Sequence, residues 1–211
     1  MRVEKFNYND IDDLIANTYV VSDEKNNAIV IDPSVNNNRI HEFLVSRNLI
    51  LKAILLTHGH FDHMRGVDSL AFLYNVPVYI NEFDIEYLTN PILNCSYGNE
   101  SELVIKSTPT VIKDNEILDL LDGDEIKVIH TPFHTPGSVC YYFINNKWLF
   151  SGDTLFKMSI GRDDLPGAVP FKRQESLNKL KMLPMETKIY PGHGSNSTIG
   201  FELTSNHFLT K

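Results

Sequence analysis

Short apolar runs, each closed by a polar cluster, recur along the chain. NTYVVSDE at 17–24 and NNAIVID at 26–32 are rich in β-branched and aromatic residues and flank a polar turn at Lys25 to Asn27, so they predict two strands. Asp32-Pro33-Ser34 ends the second. From Asn38 to Asn48, Ile40, Phe43 and Leu44 fall at helical spacing and predict an amphipathic helix. LKAILLTHGH at 51–60 begins as a short buried strand, GVDSLAFLY at 66–74 predicts a helix, and VPVYI at 76–80 another strand. Residues 81–114 break this rhythm. NEFDIEYL at 81–88 has the start of a helix, then Pro91, Cys95, Tyr97 and Gly98 mark a loop. Strands resume with EIKVIHT at 125–131, VCYYFIN at 139–145 and KWLFSGD at 147–153, the last two separated by a turn at Asn145-Asn146. A helix at about 171–183, the strand KIY at 188–190 and the loop PGHG follow. No tandem repeat or low-complexity linker divides the chain. Alternating strands and helices predict sheets covered by helices, with functional loops at strand ends.

Four of the polar clusters carry side chains of one kind. THGHFDH at 57–63 contains His58, His60, Asp62 and His63, in a chain with eight histidines. An extended backbone points residues 58 and 60 the same way, and a turn after them lets 62 and 63 diverge to a second point. His134 in HTPGS, Asp153 in SGDT and His193 in PGHG each follow an apolar strand and stand beside Gly or Pro. Singly, each has a plainer reading, as a polar loop residue or, for Asp153, a capping carboxylate. Together they are seven nitrogen and oxygen donors, which suit two neighbouring ions of the zinc or iron type. Of the other histidines, His130 precedes His134 on the incoming strand and reads as a packing or supporting residue. His41 reads as solvated on a helix with Glu and Arg neighbours, and His207 has no evident partner.

Composition narrows the picture. The 211 residues are ample for a substantial core, and 42% apolar with 22% charged residues is ordinary for a globular protein. A net charge of −8, with 19 Lys and Arg scattered along the chain, argues against a polyanion partner. The opening MRVEKFNYNDIDD is too acidic and too broken for a signal peptide, and no apolar run approaches a membrane span. Two cysteines, Cys95 and Cys140, argue against a disulfide scaffold, and Cys140 in VCYYF reads as a small buried hydrophobe. The expected location is the cytoplasm.

THGHFDH, HTPGS, SGDTLF and YPGHG, in this order, resemble the metallo-β-lactamase-fold hydrolases, and the resemblance spans nearly the whole chain from NTYVV to TIGFE. GRDDLPG at 161–167 and the ending PGHGSNSTIGFELTSNHFL bring it nearest to the short, single-domain relatives of glyoxalase II (hydroxyacylglutathione hydrolase). The resemblance implies an α/β fold, a four-layer αββα sandwich of two mixed sheets flanked by helices. It also implies a single domain over 1–211, without the helical C-terminal domain that helps glyoxalase II hold glutathione. It assigns His58, His60 and His134 to one divalent ion and Asp62, His63 and His193 to another. Asp153 would bridge them, and Asp62 and Asp153 would be the catalytic carboxylates. Zn2+ is expected, with iron or manganese as the alternatives. Asp32 in VIDP matches a carboxylate that fixes an imidazole tautomer behind the metal loop; a turn-forming Asp before Pro is the plainer reading. Two departures, Phe133 for a usual Gly and Asn206-His207-Phe208 for Asn-Pro-Phe, touch no ligand.

The implied activity is hydrolysis of a small-molecule acyl thioester such as S-lactoylglutathione to a hydroxy acid and a thiol. A water shared by two divalent ions loses a proton near neutral pH, so no Ser or Cys nucleophile is required. Cys95 has nothing basic near it in sequence. Arg162 in GRDDLPG and Tyr97 and Lys106 in the 91–110 segment are candidate substrate contacts, with pairing of Arg162 to Asp163 or Asp164 as the alternative. No nucleic acid or membrane is expected as a partner, and nothing sets the oligomeric state. Other readings stay open: a sulfur dioxygenase with one iron on His58, His134 and Asp153, a nuclease or lactonase of the same fold, or a binding module without catalysis.

Overall fold

Strands apolar on both faces need cover on both sides, and that need organises the chain. In the computed structural model, residues 1–8 and 15–210 are described; residues 9–14, which include the end of the opening MRVEKFNYNDIDD, and Lys211 lie outside them. β1 (Arg2–Phe6), β2 (Thr18–Ser22) and β3 (Asn27–Ile31) lead into α1 (Arg39–Ser46) and β4 (Ile50–Leu55). Next come α2 (Phe61–Met64), α3 (Val67–Tyr74), β5 (Val78–Asn81) and β6 (Pro109–Ile112). The second half supplies β7 (Ile117–Leu121), β8 (Asp124–His130), β9 (Val139–Phe143) and β10 (Trp148–Gly152). It closes with α4 (Arg173–Lys181), β11 (Lys188–Pro191), β12 (Ser197–Thr198) and α5 (Ile199–Ser205).

Each half of the chain builds one sheet, β1 to β6 in one and β7 to β12 in the other, both in chain order. Both are mixed. β3, β4, β5 and β6 are parallel, and helices make the crossovers from β3 to β4 and from β4 to β5. In the second sheet β10 and β11 are parallel, joined through α4, and the other pairs are antiparallel.

Strand alternation assigns side chains to layers. Tyr19, Val21, Ile29, Ile31 and Leu55 of the first sheet pack with Ile126, Val128, Tyr141, Phe143 and Phe150 of the second. Their neighbours Val20, Val30 and Ile54 face Ile40, Leu44, Val67 and Leu70 of α1 and α3. On the far side Tyr142, Leu149 and Ile189 meet Leu177 and Leu180 of α4 and Ile199 of α5. This is the four-layer αββα sandwich, as expected. Hydrogen bonds lock the two sheets together near the polar clusters: Tyr141 Oη donates to Leu56 O at 2.7 Å, Tyr19 Oη to Pro191 O at 2.7 Å and Val139 N to Thr57 O at 2.8 Å.

Several features depart from the sequence pattern. β1, β6, β7 and β12 sit at the sheet edges, where pairing on one side lets a strand form without an unbroken apolar run. NEFDIEYL, expected to begin a helix, forms two 3-10 turns at Glu82–Asp84 and Glu86–Leu88. There Asp84 is drawn inward as an acceptor for distant groups, and Asn81 caps the first turn by accepting from Phe83 N at 3.1 Å. His41, expected in solvent, is half-buried with Nδ1 2.8 Å from the Tyr74 hydroxyl. Cys140 is fully buried, as expected. Among the described residues no helix is long and apolar enough to cross a membrane.

Candidate metal centre

The ends of β4, β8, β10 and β11 each deliver a polar side chain to one place. After β4 the chain stays extended, with His60 at φ −79° and ψ 145°, then turns into α2, which carries Asp62 and His63. His134 follows β8, Asp153 follows β10 directly, and His193 follows β11. Two glycines make the approach close. Gly152 has φ +47°, and a Cβ there would meet Thr57 Oγ1 at 2.4 Å. A Cβ on Gly192 would come within 2.2 Å of Asp153 Oδ1 and 2.7 Å of His63 Cε1.

The seven donors converge in three overlapping groups: His58, His60 and His134; His58, His63 and Asp153; and Asp62, His63 and His193, each with donor atoms within 4.8 Å of one another. His60 Nδ1 lies 2.9 Å from His134 Nε2. Asp153 reaches both sides, with Oδ1 3.3 Å from His63 Nε2 and Oδ2 3.4 Å from His134 Nε2. His193 Nε2 is 3.2 Å from Asp62 Oδ2 and 3.7 Å from Asp153 Oδ2. Ion–nitrogen bonds of about 2.0–2.1 Å in a tetrahedral shell put two donors roughly 3.3 Å apart. The observed separations suit donors that share an ion.

Proton bookkeeping gives an independent test of the fit. Asp32 accepts from Thr57 N at 2.8 Å and from Thr57 Oγ1 at 2.7 Å. With its proton on Asp32, Thr57 Oγ1 accepts from His58 Nδ1 at 3.1 Å. Asp32 Oδ2 also accepts from His63 Nδ1 at 2.9 Å, and the Arg162 carbonyl accepts from His134 Nδ1 at 2.7 Å. All three rings therefore carry a proton on Nδ1, which leaves Nε2 as the nitrogen that could ligate an ion. The Nε2 atoms of His58, His60 and His63, and Asp153 Oδ1, are buried without a hydrogen-bond partner. Buried acceptors left unpaired are costly, and a cation is the group that satisfies several bare donors at once. The residues fit a divalent metal centre.

For His58 and His60 the electrostatics agree with that fit. Burial, then the neighbouring imidazoles, holds His58 well below its usual range, and burial with His134 pushes His60 down to about 3. Both are neutral, as ligation requires. Burial also opposes charge on His63, but the carboxylates of Asp153, Asp62 and Asp32 outweigh it and raise that ring. Burial would raise Asp153, yet His193 and His63 hold it well below the usual carboxylate range.

Other candidates fall around this centre. Asp32, at φ 49°, lies behind the ligand loop, with Oδ2 2.9 Å from His63 Nδ1. Arg162 offers its carbonyl to His134, while its guanidinium pairs with Asp164 at 2.9 Å, the loop-holding alternative. Tyr97 is 71% exposed and lies outside the ligand groups, and Lys106 is tied through its backbone N–H to Asp68. His130 supports the HTPGS loop, with Nε2 2.7 Å from Pro136 O. Cys95 is half-buried, and burial and nearby Asp62 push its thiol up, away from a nucleophilic thiolate. One residue was missed: fully buried Asp84 accepts from Gly59 N at 2.9 Å, Thr135 Oγ1 at 2.7 Å and Gly137 N at 2.7 Å. It clasps the loop carrying His58 and His60 to the loop carrying His134. Burial raises it to about 6 despite those three bonds.

Comparison with known proteins gives a consistent answer. The sequence model of the metallo-beta-lactamase superfamily matches residues 11–193. The hydroxyacylglutathione hydrolase GloC of Haemophilus influenzae is 32% identical over 197 residues, covering 92% of each chain. The crystal structure of BLEG-1 B3 metallo-beta-lactamase superposes with a TM-score of 0.91 over the whole of both chains at 34% identity. TTHA1623 in a di-iron-bound form gives 0.80 at 35% identity, covering 92% of this chain and 95% of that one.

Proposed function

The chain belongs to the metallo-β-lactamase superfamily and is a metallo-hydrolase, and from that premise we propose that it hydrolyses small acyl thioesters of the S-lactoylglutathione type. The observation that carries the reading is the convergence of seven donors around buried, unpartnered Nε2 atoms. In this reading His58, His60 and His134 would hold one divalent ion and Asp62, His63 and His193 a second, with Asp153 within reach of both groups. Zinc is the first choice, and the di-iron form of TTHA1623 makes iron the element to measure beside it. When bound, such ions lower the pKa of water toward neutrality and polarise a carbonyl oxygen.

The chain's own residues prepare that chemistry. Asp32 and Thr57 fix the tautomers of His63 and His58, and the Arg162 carbonyl fixes that of His134, so three of the five imidazoles are oriented before substrate arrives. Asp84 keeps the two ligand loops in register, and Gly192 leaves room for Asp153 to reach both sides. A thiol of pKa about 8.5 departs readily as thiolate, so this site needs no separate acid for the leaving group. That favours a thioester over an amide, as does the 32% identity to GloC. Two free cysteines, one buried and one half-buried, support a reducing, cytoplasmic setting.

A second reading, opening of a β-lactam ring, rests on the full-length match to BLEG-1. Thiol release from S-lactoylglutathione, measured beside β-lactam hydrolysis on one metal-loaded preparation, tests the two together. Thioester cleavage at the higher kcat/KM is expected, and β-lactam cleavage alone would replace the first reading with the second.

A further inference from the structure

A groove of about 450 Å³ opens beside α2, lined in part by Asn36, Phe61, Arg65, Asn99, Glu100 and Ser101. Its size is that of a small-ligand site. Its position follows from helix geometry. Phe61 and Arg65 are four residues apart and share one face of the turn, while Asp62, three before Arg65, belongs to the ligand groups. Asp62 and Arg65 are therefore neighbours on the surface of one helical turn.

The opposite wall is braced. Asn94 O accepts from Phe61 N at 2.9 Å, Asn94 Nδ2 donates to Tyr87 O and Leu103 O, and Ser96 Oγ accepts from Leu103 N at 2.8 Å. These bonds hold the 94–103 segment against α2, beside the ligand loop.

Among the described residues that line this groove, Arg65 is the one cation. Among the described residues Arg65 forms no ion pair; its guanidinium lies 4.7 Å from the Phe61 ring centroid and is exposed. Stacking on Phe61 orients the planar guanidinium and leaves its edge donors free, the arrangement that receives a carboxylate. Glu100 lines the same groove and Asn36 and Asn99 add amides. A single cation with a carboxylate nearby, on a chain of net charge −8, matches a monoanionic or zwitterionic group and disfavours a polyphosphate.

We propose that this groove binds the thiol half of the substrate and that Arg65 selects thiols bearing a carboxylate. The inference rests on the thioester reading above and names the substrate class for it.

The test compares kcat/KM for the lactoyl thioesters of 3-mercaptopropionate and 3-mercaptopropanamide on metal-loaded protein. Wild type favours the acid by tenfold or more, about 1.4 kcal/mol. Arg65→Met, which keeps an apolar stem over Phe61, brings the ratio to near one, and Arg65→Lys keeps part of it. A wild-type ratio near one, or the same ratio in Arg65→Met as in wild type, overturns the proposal. If neither thioester is cleaved, the thioester reading fails, and the groove is judged by ligand-observed NMR with 3-(methylthio)propionate and its amide. Preferential binding of the acid, lost in Arg65→Met, then supports an anion site; equal binding or none overturns it.

Discussion

A histidine in this centre is defined by what its other nitrogen touches. Asp32 takes the Nδ1 proton of His63 and, through Thr57, governs that of His58. Asp32→Ala should therefore weaken ion binding by about 10–100-fold, the usual effect of losing such a partner; competition with a chromophoric chelator measures it. Asp23 shows the same logic away from the site. It accepts from Lys25 N, Asn27 N, Asn27 Nδ2 and Asp122 N at 2.8–2.9 Å. Burial would raise its pKa, but those bonds outweigh it and lower it. A depressed carboxylate contributes stability above its unfolded pKa of about 3.9, and that stability is lost as pH falls through the lower folded value. Asp23→Ala should cost about 2 kcal/mol at pH 7, and urea midpoints should show the gap to wild type closing below pH 4. The seven donors were legible because each stands in a polar motif directly after an apolar run. Asp84 was not, because it reads as part of a helix start while its partners are backbone and hydroxyl groups of loops 25 to 53 residues away.

Elements were legible in proportion to how fully they are buried. TYVVS, NAIVI and VCYYF are covered on both faces and announce themselves as apolar runs. RVEKF, PTVI and ILDLL carry exposed positions, being held by one neighbouring strand, and their patterns are mixed. The helices over 39–46, 67–74 and 173–181 followed their periodicity closely, whereas α2 has four residues, too few to show a period. The turn after β11 is the element most exposed to a single methyl group. Gly192→Ala places a Cβ 2.2 Å from Asp153 Oδ1. The variant should keep its far-UV circular dichroism yet bind ions at least tenfold more weakly, through displacement of the carboxylate that reaches both donor groups. Retained affinity would show that this close approach is tolerated.

At the scale of the molecule, the chain order of the strands gives one sheet per half, and the metal centre spans the seam between them. The core layers are apolar and contain no donor of the site. Removing ions with a chelator should abolish activity and lower Tm by the lost binding energy alone, with the strand signal intact. Collapse of that signal would mean that the ions hold the sheets together. The sandwich itself was legible only through the resemblance, since periodicity places strands and helices without saying which strands are neighbours. The most direct test of the whole account is a titration of metal-free protein with zinc or iron, following thiol release from S-lactoylglutathione against the ions bound per chain. The account predicts that release climbs until two ions are bound and then levels. No release at two bound ions, or full activity with a single iron, would contradict it.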